Sequence, residues 1–155
     1  MKVSIGIRAN PNQINYCVLS GTIDEFEIKI IDKIVNPKSL DVPEQLKFLR
    51  STLGDIINEN KVSNACIRIT ESNAQTVNVR RIYIEGVIQE LIASSTIERY
   101  YVGQISSISA KIGIAREEFK PFAAGEAIFL GIDTWNELSS EERECVMAAF
   151  SALNL

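Results

Sequence analysis

The stretch VSIGIRAN, residues 3–10, decides the fold prediction. Its apolar residues at positions 3, 5 and 7 alternate with Ser4, Gly6 and Arg8, the period-two pattern of a strand with one face against a core. We therefore expect a first strand at about residues 2–8, with a cation at its carboxyl end. Turn residues at 10–13 and 20–25 then separate two further predicted strands, at about 14–19 and 26–35, so the first third of the chain predicts a three-strand meander.

The remaining sequence predicts helices that alternate with strands. Asp41 and Pro43 mark a helix start, and apolar residues at helical spacing carry that helix to about residues 58–60. The short apolar run at 62–70 predicts a strand covered on both faces. The other predicted elements are a long helix that follows a loop after residue 70, a strand at 98–103, a short helix at 107–114 and a last helix from Ser139 to about Leu153. Residues 117–138 give no clear pattern, and we predict no element there.

The long helix is predicted to bury one broad apolar face. That face would consist of Val79, Ile82, Val87, Leu91 and Ile92. Gly86 lies in the middle of this helix, where glycine costs up to about 1 kcal/mol relative to alanine. Such a glycine indicates close packing against a neighbouring element.

Composition narrows the range of functions that the chain could have. The chain has 155 residues and a net charge of −4, which fits a single domain over residues 1–155 and argues against wholesale electrostatic wrapping of nucleic acid. It has no histidine, which excludes Ser-His-Asp catalysis and histidine-ligated metals. Neither a glycine-rich dinucleotide motif nor a phosphate loop is present. We expect no membrane span and no signal peptide, and three widely spaced cysteines predict reduced, buried thiols in a cytoplasmic protein.

The order of these elements resembles the ribonuclease H-like superfamily, and more closely its Holliday-junction-resolvase (RuvC-type) branch. SIGIRAN resembles the first motif of that branch, ACIRIT the second and ECVMAAFSAL the last. The layout is also similar to that of small bacterial proteins of the same fold. The resemblance implies an α/β fold with a five-stranded mixed sheet, order 3-2-1-4-5, strand 2 antiparallel, and helices on both faces.

The resemblance also implies a site, and this chain departs from it. Members of the branch carry an aspartate at the end of the first strand, a glutamate at the end of the fourth and further acids on a late helix, which together hold two Mg²⁺ ions. Here Arg8 and Arg68 occupy the two strand positions, and only Glu144 matches an acid. Guanidinium groups repel metal ions. We therefore predict a degenerate active site without a cofactor.

The same fold would bring Arg8 and Arg68 side by side on adjacent strands. Two hypotheses remain open for them: a structural salt-bridge network, or a site for a phosphate or carboxylate ligand. The candidate anion-binding residues are Arg8, Arg68, Arg80, Arg81 and Lys111, with Glu71, Glu85 and Glu144 as counter-charges. Several of these have a plainer interpretation. Glu71 would cap the helix that follows it, Arg81 and Glu85 would form a solvated helix pair, and Lys111 would be an exposed lysine.

Three functions follow from these patterns. The first is a non-catalytic ribonuclease H-like module that binds nucleic acid or another phosphate-bearing ligand through the arginines. The second is a structural or protein-interaction module, with a homo-oligomer or another protein as partner. The third is a nuclease with a relocated carboxylate site, formed by Glu71, Glu85 and Glu144, which alone would require Mg²⁺ or Mn²⁺.

Overall fold

A computed structural model describes residues 2–155, and Met1 of the predicted 1–155 domain lies outside the described residues. Five strands form one mixed sheet in the order β3-β2-β1-β4-β5. β1 pairs antiparallel with β2 and parallel with β4, and β4 pairs parallel with β5. The strands are β1 (Lys2–Asn10), β2 (Gln13–Gly21), β3 (Phe26–Val35), β4 (Asn64–Arg68) and β5 (Arg99–Gly103). The predicted fold class and strand order are confirmed.

Helices cover both faces of the sheet. The long helices α1 and α2 contact each other on one face, and α5 packs against β1, β2 and β4 on the other. The helices are α1 (Val42–Glu59), α2 (Val79–Ser94), α3 (Ile105–Ile112), α4 (Arg116–Ala124) and α5 (Ser140–Leu153). Asp41 caps α1 as predicted, since its carboxylate accepts a hydrogen bond from the backbone N–H of Glu44. No helix within residues 2–155 is long and apolar enough to cross a bilayer.

Alternation along β1 divides the core into two parts. Ile5, Ile7 and Ala9 lie in the cluster that includes the buried residues of α1 and α2. On the other face of β1, the hydroxyl of Ser4 donates to the carbonyl of Ala149 in α5. All five residues of β4 are buried, which confirms the prediction that this strand is covered on both sides.

Gly6 allows α5 to lie directly on the sheet. A Cβ atom at this position would be 2.1 Å from the carbonyl oxygen of Cys145 and 2.3 Å from the backbone nitrogen of Ala149. The helix offers small, fully buried residues to the strand, among them Ala148 and Ala152. Every residue of α5 from Arg143 to Leu153 is buried, so this helix is a central element of the core.

The three cysteines are free, as predicted. Cys17, Cys66 and Cys145 are all buried. Burial raises the pKa of the Cys66 thiol to about 11 and outweighs the effect of the nearby Tyr101 and Ser151 hydroxyls, which lower it. These thiols are therefore protonated at neutral pH and act as small apolar residues of the core.

Of two predictions about α2, one is correct only in part and the other is wrong. The predicted residues Leu91 and Ile92 are buried, together with Ile84, Glu85 and Ile88, whereas Val79 and Ile82 are exposed. Apolar residues lie on both sides of this helix, so their spacing alone does not select the buried side. Gly86 is exposed, and a Cβ atom there would meet nothing within 4 Å. Within this chain, Gly86 does not serve close packing.

The segment without a predicted element, residues 117–138, is folded around Arg143. It contains most of α4 and two short 3₁₀ turns, Phe129–Gly131 and Trp135–Glu137. The guanidinium of Arg143 is buried and donates to the carbonyl oxygens of Trp135 (2.9 Å), Ala123 (3.1 Å) and Asn136 (3.4 Å). A charged donor group thus satisfies carbonyls at helix and turn ends that would otherwise remain unpaired.

Candidate anion-binding site

The sheet places Arg8 and Arg68 side by side. They are register partners in the parallel pairing of β1 with β4, and both side chains are mostly buried. Neighbouring strands lie about 4.8 Å apart, so two positive charges are held close together at this end of the sheet. The adjacency expected from the sequence is confirmed. β1 continues for two residues beyond Arg8, so Arg8 lies before the end of its strand, whereas Arg68 ends β4.

Glu144 lies between the two arginines. Its Oε1 accepts a hydrogen bond from Nε of Arg68 at 3.0 Å, and its Oε2 lies 3.6 Å from Nε of Arg8. Nη1 of Arg8 also donates to the main-chain oxygen of Arg68 at 3.1 Å. Side-chain exposure is only 11% for Arg8, 5% for Arg68 and 12% for Glu144, so this carboxylate is a shared counter-charge for the two arginines inside the protein.

Burial of charge has a measurable consequence at Arg8. Removal from water lowers the pKa of its guanidinium to about 10, and the nearby cations Arg68 and Arg81 act in the same direction. The negative charge of Glu144 opposes this shift. Arg8 is therefore still a cation at neutral pH, and Glu144 is the largest favourable contribution to keeping it charged.

Glu71 is a second counter-charge, on the other side of Arg68. Its Oε2 lies 3.0 Å from Nη1 of Arg68, and it accepts a hydrogen bond from the backbone N–H of Ile105 at 3.1 Å. Glu71 therefore satisfies a donor at the start of α3. The expectation that it caps the helix following it in sequence is wrong, because Asn78 caps α2. Arg116 approaches the other Glu71 oxygen at 3.9 Å.

Glu85 is the third counter-charge, and it is buried. It accepts hydrogen bonds from the backbone N–H of Thr70 at 3.0 Å and from the Thr70 hydroxyl at 3.1 Å. Nε of Arg81 lies 3.3 Å from the same carboxylate oxygen. Arg81 and Glu85 thus form the predicted pair one helical turn apart, but the carboxylate is inside the protein and not on a solvated face. Arg80 is exposed.

We call these seven residues the strand-end cluster. It consists of the arginines Arg8, Arg68, Arg81 and Arg116 and the glutamates Glu71, Glu85 and Glu144. It thus contains four cations and three carboxylates, and a further carboxylate, that of Glu141, lies beside it on Asn15, the β2 partner of Arg8. With 53% of its side chain exposed, Arg116 is the most accessible cation of the cluster.

Lys111 lies apart from the cluster. Its ammonium group is 4.8 Å from the centre of the Tyr101 ring, a cation–π contact, and the Tyr101 hydroxyl donates to Ser151 at 2.5 Å. Of the five predicted anion-binding residues, the structure therefore brings Arg8, Arg68 and Arg81 together, while Arg80 and Lys111 stand outside their contacts.

Three features of this region have no counterpart in the sequence prediction. The side-chain amides of Asn10 and Asn15 both donate to Glu141 at 2.8 Å. The guanidinium of Arg68 lies 5.7 Å from the ring centre of Phe119, beside an open cleft of about 290 Å³ that Lys120 also lines. The sequence indicated Asn10 and Asn15 only through the polar alternation at the end of β1 and the start of β2. The cleft depends on α4, for which no element was predicted.

The residues at this site do not fit a magnesium centre. Glu71, Glu85 and Glu144 are each engaged by an arginine, and positive groups stand where the resemblance implies metal-binding acids. Across residues 2–155, no group of three or more acidic, histidine or cysteine side chains is placed to hold a metal ion. The relocated three-glutamate site is therefore not supported by this geometry.

Solved structures of junction resolvases share the backbone arrangement described above. The Thermus thermophilus RuvC structure matches with a TM-score of 0.70 at 9% identity, over 96% of this chain and 92% of that chain. T. thermophilus RuvC in complex with Holliday junction substrate matches with a TM-score of 0.69 at 8% identity, over 97% of this chain and 92% of that chain. The fold is ribonuclease H-like, of the RuvC type. Fowlpox virus resolvase with Holliday junction DNA matches with a TM-score of 0.54 at 9% identity, over 97% of this chain and 96% of that chain.

At these identities the likeness is one of ribonuclease H-like fold. No protein-family model and no curated protein matches the sequence. The function of the strand-end cluster therefore has to be argued from its own residues.

Proposed function

We propose that this protein is a non-catalytic ribonuclease H-like module that binds a phosphate-bearing partner, nucleic acid above all, at the strand-end cluster. The observation that carries the proposal is the pairing of Glu144 with both Arg8 and Arg68. The acid on α5 is used as a counter-charge, and a carboxylate held between two guanidinium groups is a poor metal ligand. On this proposal the nuclease site is degenerate and the fold is kept for binding.

Two observations support an anionic partner. The cluster has four arginines for three glutamates, although the whole chain has a net charge of −4. Arg80 and Lys111, which lie outside the cluster, are two further exposed cations, and within residues 2–155 neither has a carboxylate partner. Planar guanidinium groups suit phosphate oxygens, and binding dominated by such contacts weakens steeply with salt.

The T. thermophilus RuvC complex and the fowlpox virus resolvase complex each contain a Holliday junction, which makes branched DNA the first ligand to test. The buried thiols support a location in a reducing compartment, and we propose the cytoplasm. We also propose that residues 1–155 act as one domain.

The test measures binding and cleavage separately. Fluorescence anisotropy with a four-way junction and a plain duplex should show binding that weakens as salt is raised. Charge reversal at the exposed rim, Arg80→Glu with Arg116→Glu, should weaken binding at least tenfold, because neither side chain belongs to the buried bridge. The matched control is Arg50→Glu with Arg99→Glu, which changes the net charge equally away from the cluster.

Two results would overturn the proposal. One is Mg²⁺- or Mn²⁺-dependent cleavage of the junction that disappears in Glu144→Gln. The other is junction binding that Arg80→Glu with Arg116→Glu weakens by no more than the control pair Arg50→Glu with Arg99→Glu.

A structural or protein-interaction module is the second candidate. One observation favours it, an exposed row of apolar residues on α2, which lies outside the strand-end cluster. Absence of nucleic-acid binding together with self-association would favour this candidate.

A further inference from the structure

Ile128 and Leu130 are apolar residues that the fold leaves exposed on either side of a buried phenylalanine. Ile128 is 50% exposed and Leu130 54%, whereas Phe129 between them is only 2% exposed. We call residues 127–131 the Phe129 loop. Its central side chain enters the core, and the two aliphatic side chains beside it face solvent.

The backbone at Leu130 has a conformation that does not suit leucine. Its φ is 50° and its ψ is 29°, in the left-handed region where a Cβ atom crowds the following carbonyl oxygen. Among residues 2–155, the other non-glycine residue with a positive φ is Lys61, which lies just after the end of α1, an ordinary place for that conformation. An unfavourable backbone conformation that presents an exposed apolar side chain indicates a residue kept for contact with something outside the chain.

Aromatic packing fixes the Phe129 loop in place. The centre of the Phe129 ring lies 5.5 Å from the ring centres of Phe122 and Phe150. It lies 5.7 Å from the ring centre of Trp135, whose indole N–H donates to the main-chain oxygen of Phe122 at 2.9 Å. The exposed pair is therefore pre-organised, and a partner that contacts it has little loop entropy to overcome on binding.

The Phe129 loop lies at the end of the sheet away from the strand-end cluster. Phe150, which packs against Phe129, also packs edge to face against Phe26, the first residue of β3, at 5.3 Å. In the sheet register Phe26 is level with Lys2 at the start of β1. Arg8 lies roughly 20 Å further along β1, at about 3.3 Å per residue. A partner at the Phe129 loop is therefore separate from a phosphate-bearing partner at the cluster.

The charges in and around the Phe129 loop are all negative. Residues 125–138 contain Glu126, Asp133 and Glu137 and no lysine or arginine. All three carboxylates are exposed, and none forms an ion pair within residues 2–155. Carboxylates repel the phosphates of nucleic acid and of anionic lipids, so charge complementarity favours a protein partner with cationic side chains.

We infer that the Phe129 loop docks a protein partner whose surface has an apolar groove bordered by lysine or arginine side chains. Ile128 and Leu130 enter the groove, and Glu126 and Asp133 face the cations on its border. An apolar centre within a polar border is the usual arrangement of a protein interface. Two aliphatic side chains cover little surface compared with about 800 Å² per partner in a standard interface, so we expect a transient contact.

A labelled synthetic peptide of leucine and lysine that folds as an amphipathic helix is the probe, because it presents an apolar row flanked by ammonium groups. Fluorescence anisotropy with the full chain should show saturable binding. Leu130→Asn should weaken binding at least tenfold. Its unfolding midpoint should be unchanged or higher, because asparagine suits the left-handed region better than leucine. The control is Val35→Asn, at an exposed apolar residue on β3, and it should leave binding unaltered.

A charge reversal tests the choice of partner. Glu126→Lys with Asp133→Lys should weaken peptide binding at least tenfold, whereas the control pair Asp55→Lys with Glu98→Lys, at exposed carboxylates elsewhere, should not.

Three results would overturn the inference. The first is the absence of peptide binding, and the second is binding that Leu130→Asn weakens no more than Val35→Asn does. The third is binding to phosphatidylserine vesicles or to a DNA duplex that is lost in Leu130→Asn. Nucleic acid bound at the strand-end cluster does not respond to Leu130→Asn, so failure here is distinguishable from failure of the proposed function.

Discussion

The strand-end cluster and the exposed apolar residues Val79, Ile82 and Tyr83 of α2, which we call the α2 stripe, depart from the ordinary distribution of residues in opposite ways. The cluster has charged side chains inside the protein, with no more than 5% of Arg68 and Glu85 exposed. The stripe has apolar side chains outside it, with Val79 more than half exposed. Both are unusual, since buried charge is costly and aligned exposed apolar residues are uncommon on monomers.

The two regions differ in whether the chain itself explains them. Each carboxylate of the cluster lies within 3.3 Å of an arginine nitrogen, so the negative charges of the cluster are paired within the fold. Nothing in residues 2–155 covers the stripe. The carboxylates of the cluster are therefore paired within the fold, whereas the apolar side chains of the α2 stripe are left uncovered.

The largest expected effect is the loss of Glu144. Glu144→Gln leaves Arg8 and Arg68 buried without their shared counter-charge, and breaking a buried ion pair costs about 3–5 kcal/mol. Chemical denaturation should show this decrease in the free energy of unfolding. Glu90→Gln, in the exposed pair with Arg50, is the matched control and should cost no more than about 1 kcal/mol.

Equal costs at Glu144 and Glu90 would contradict an interior role for the cluster. Replacing all three partners, by Arg8→Met, Arg68→Met and Glu144→Leu, should recover much of the stability, because removing a whole buried ionic group is often neutral or stabilising.

Gly6→Ala should have the next largest effect. Its Cβ atom would overlap backbone atoms of α5, and no flexible side chain is there to move aside. Overpacking of this kind costs about 1–3 kcal/mol and occasionally more. Thermal unfolding followed by circular dichroism measures it. An unchanged midpoint would show that α5 does not lie as close to β1 as described.

The pH dependence of stability reports on the buried thiol beneath Arg68. Burial raises the pKa of Cys66 to about 11 from its ordinary 9, so between these values the unfolded chain has released a proton that the folded protein keeps. The stabilising contribution is complete below pH 9 and is lost as pH rises toward 11, by about 1.4 kcal/mol per pH unit. Unfolding titrations should show a shallower decline in Cys66→Ala. Identical slopes for the two proteins would mean that Cys66 is accessible to water.

The smallest effect is a gain. Gly86→Ala should raise the free energy of unfolding of dilute protein by up to about 1 kcal/mol, since alanine favours the helix and meets no obstacle. Denaturation at low concentration measures it. A loss of stability comparable to that of Gly6→Ala would show that Gly86 is packed within its own chain.

The sequence predicted the sheet well because strand alternation and turn residues are local signals. The period-two pattern of β1 and the apolar run of β4 were sufficient, with the RuvC-type resemblance, to place Arg8 beside Arg68. Glu144 followed from the same comparison. These predictions needed only the order of elements and the identity of residues at strand ends.

Other features depended on contacts between distant parts of the chain. Residues 117–138 fold around the guanidinium of Arg143, which follows them in sequence and binds their carbonyls. The role of Glu71 depends on the start of α3, more than thirty residues away. The apolar residues on both sides of α2 left the buried side undetermined until the sheet beneath it was known.

The central claim is that Glu144 serves as a counter-charge and not as a metal ligand. Calorimetric titration with Mn²⁺ tests it most directly, on the wild type and on the double variant Arg8→Asp with Arg68→Glu, with folding checked by circular dichroism. We expect no saturable binding heat in the wild type, and binding in the double variant that requires Glu144. Saturable Mn²⁺ binding by the wild type that is lost in Glu144→Gln would contradict it.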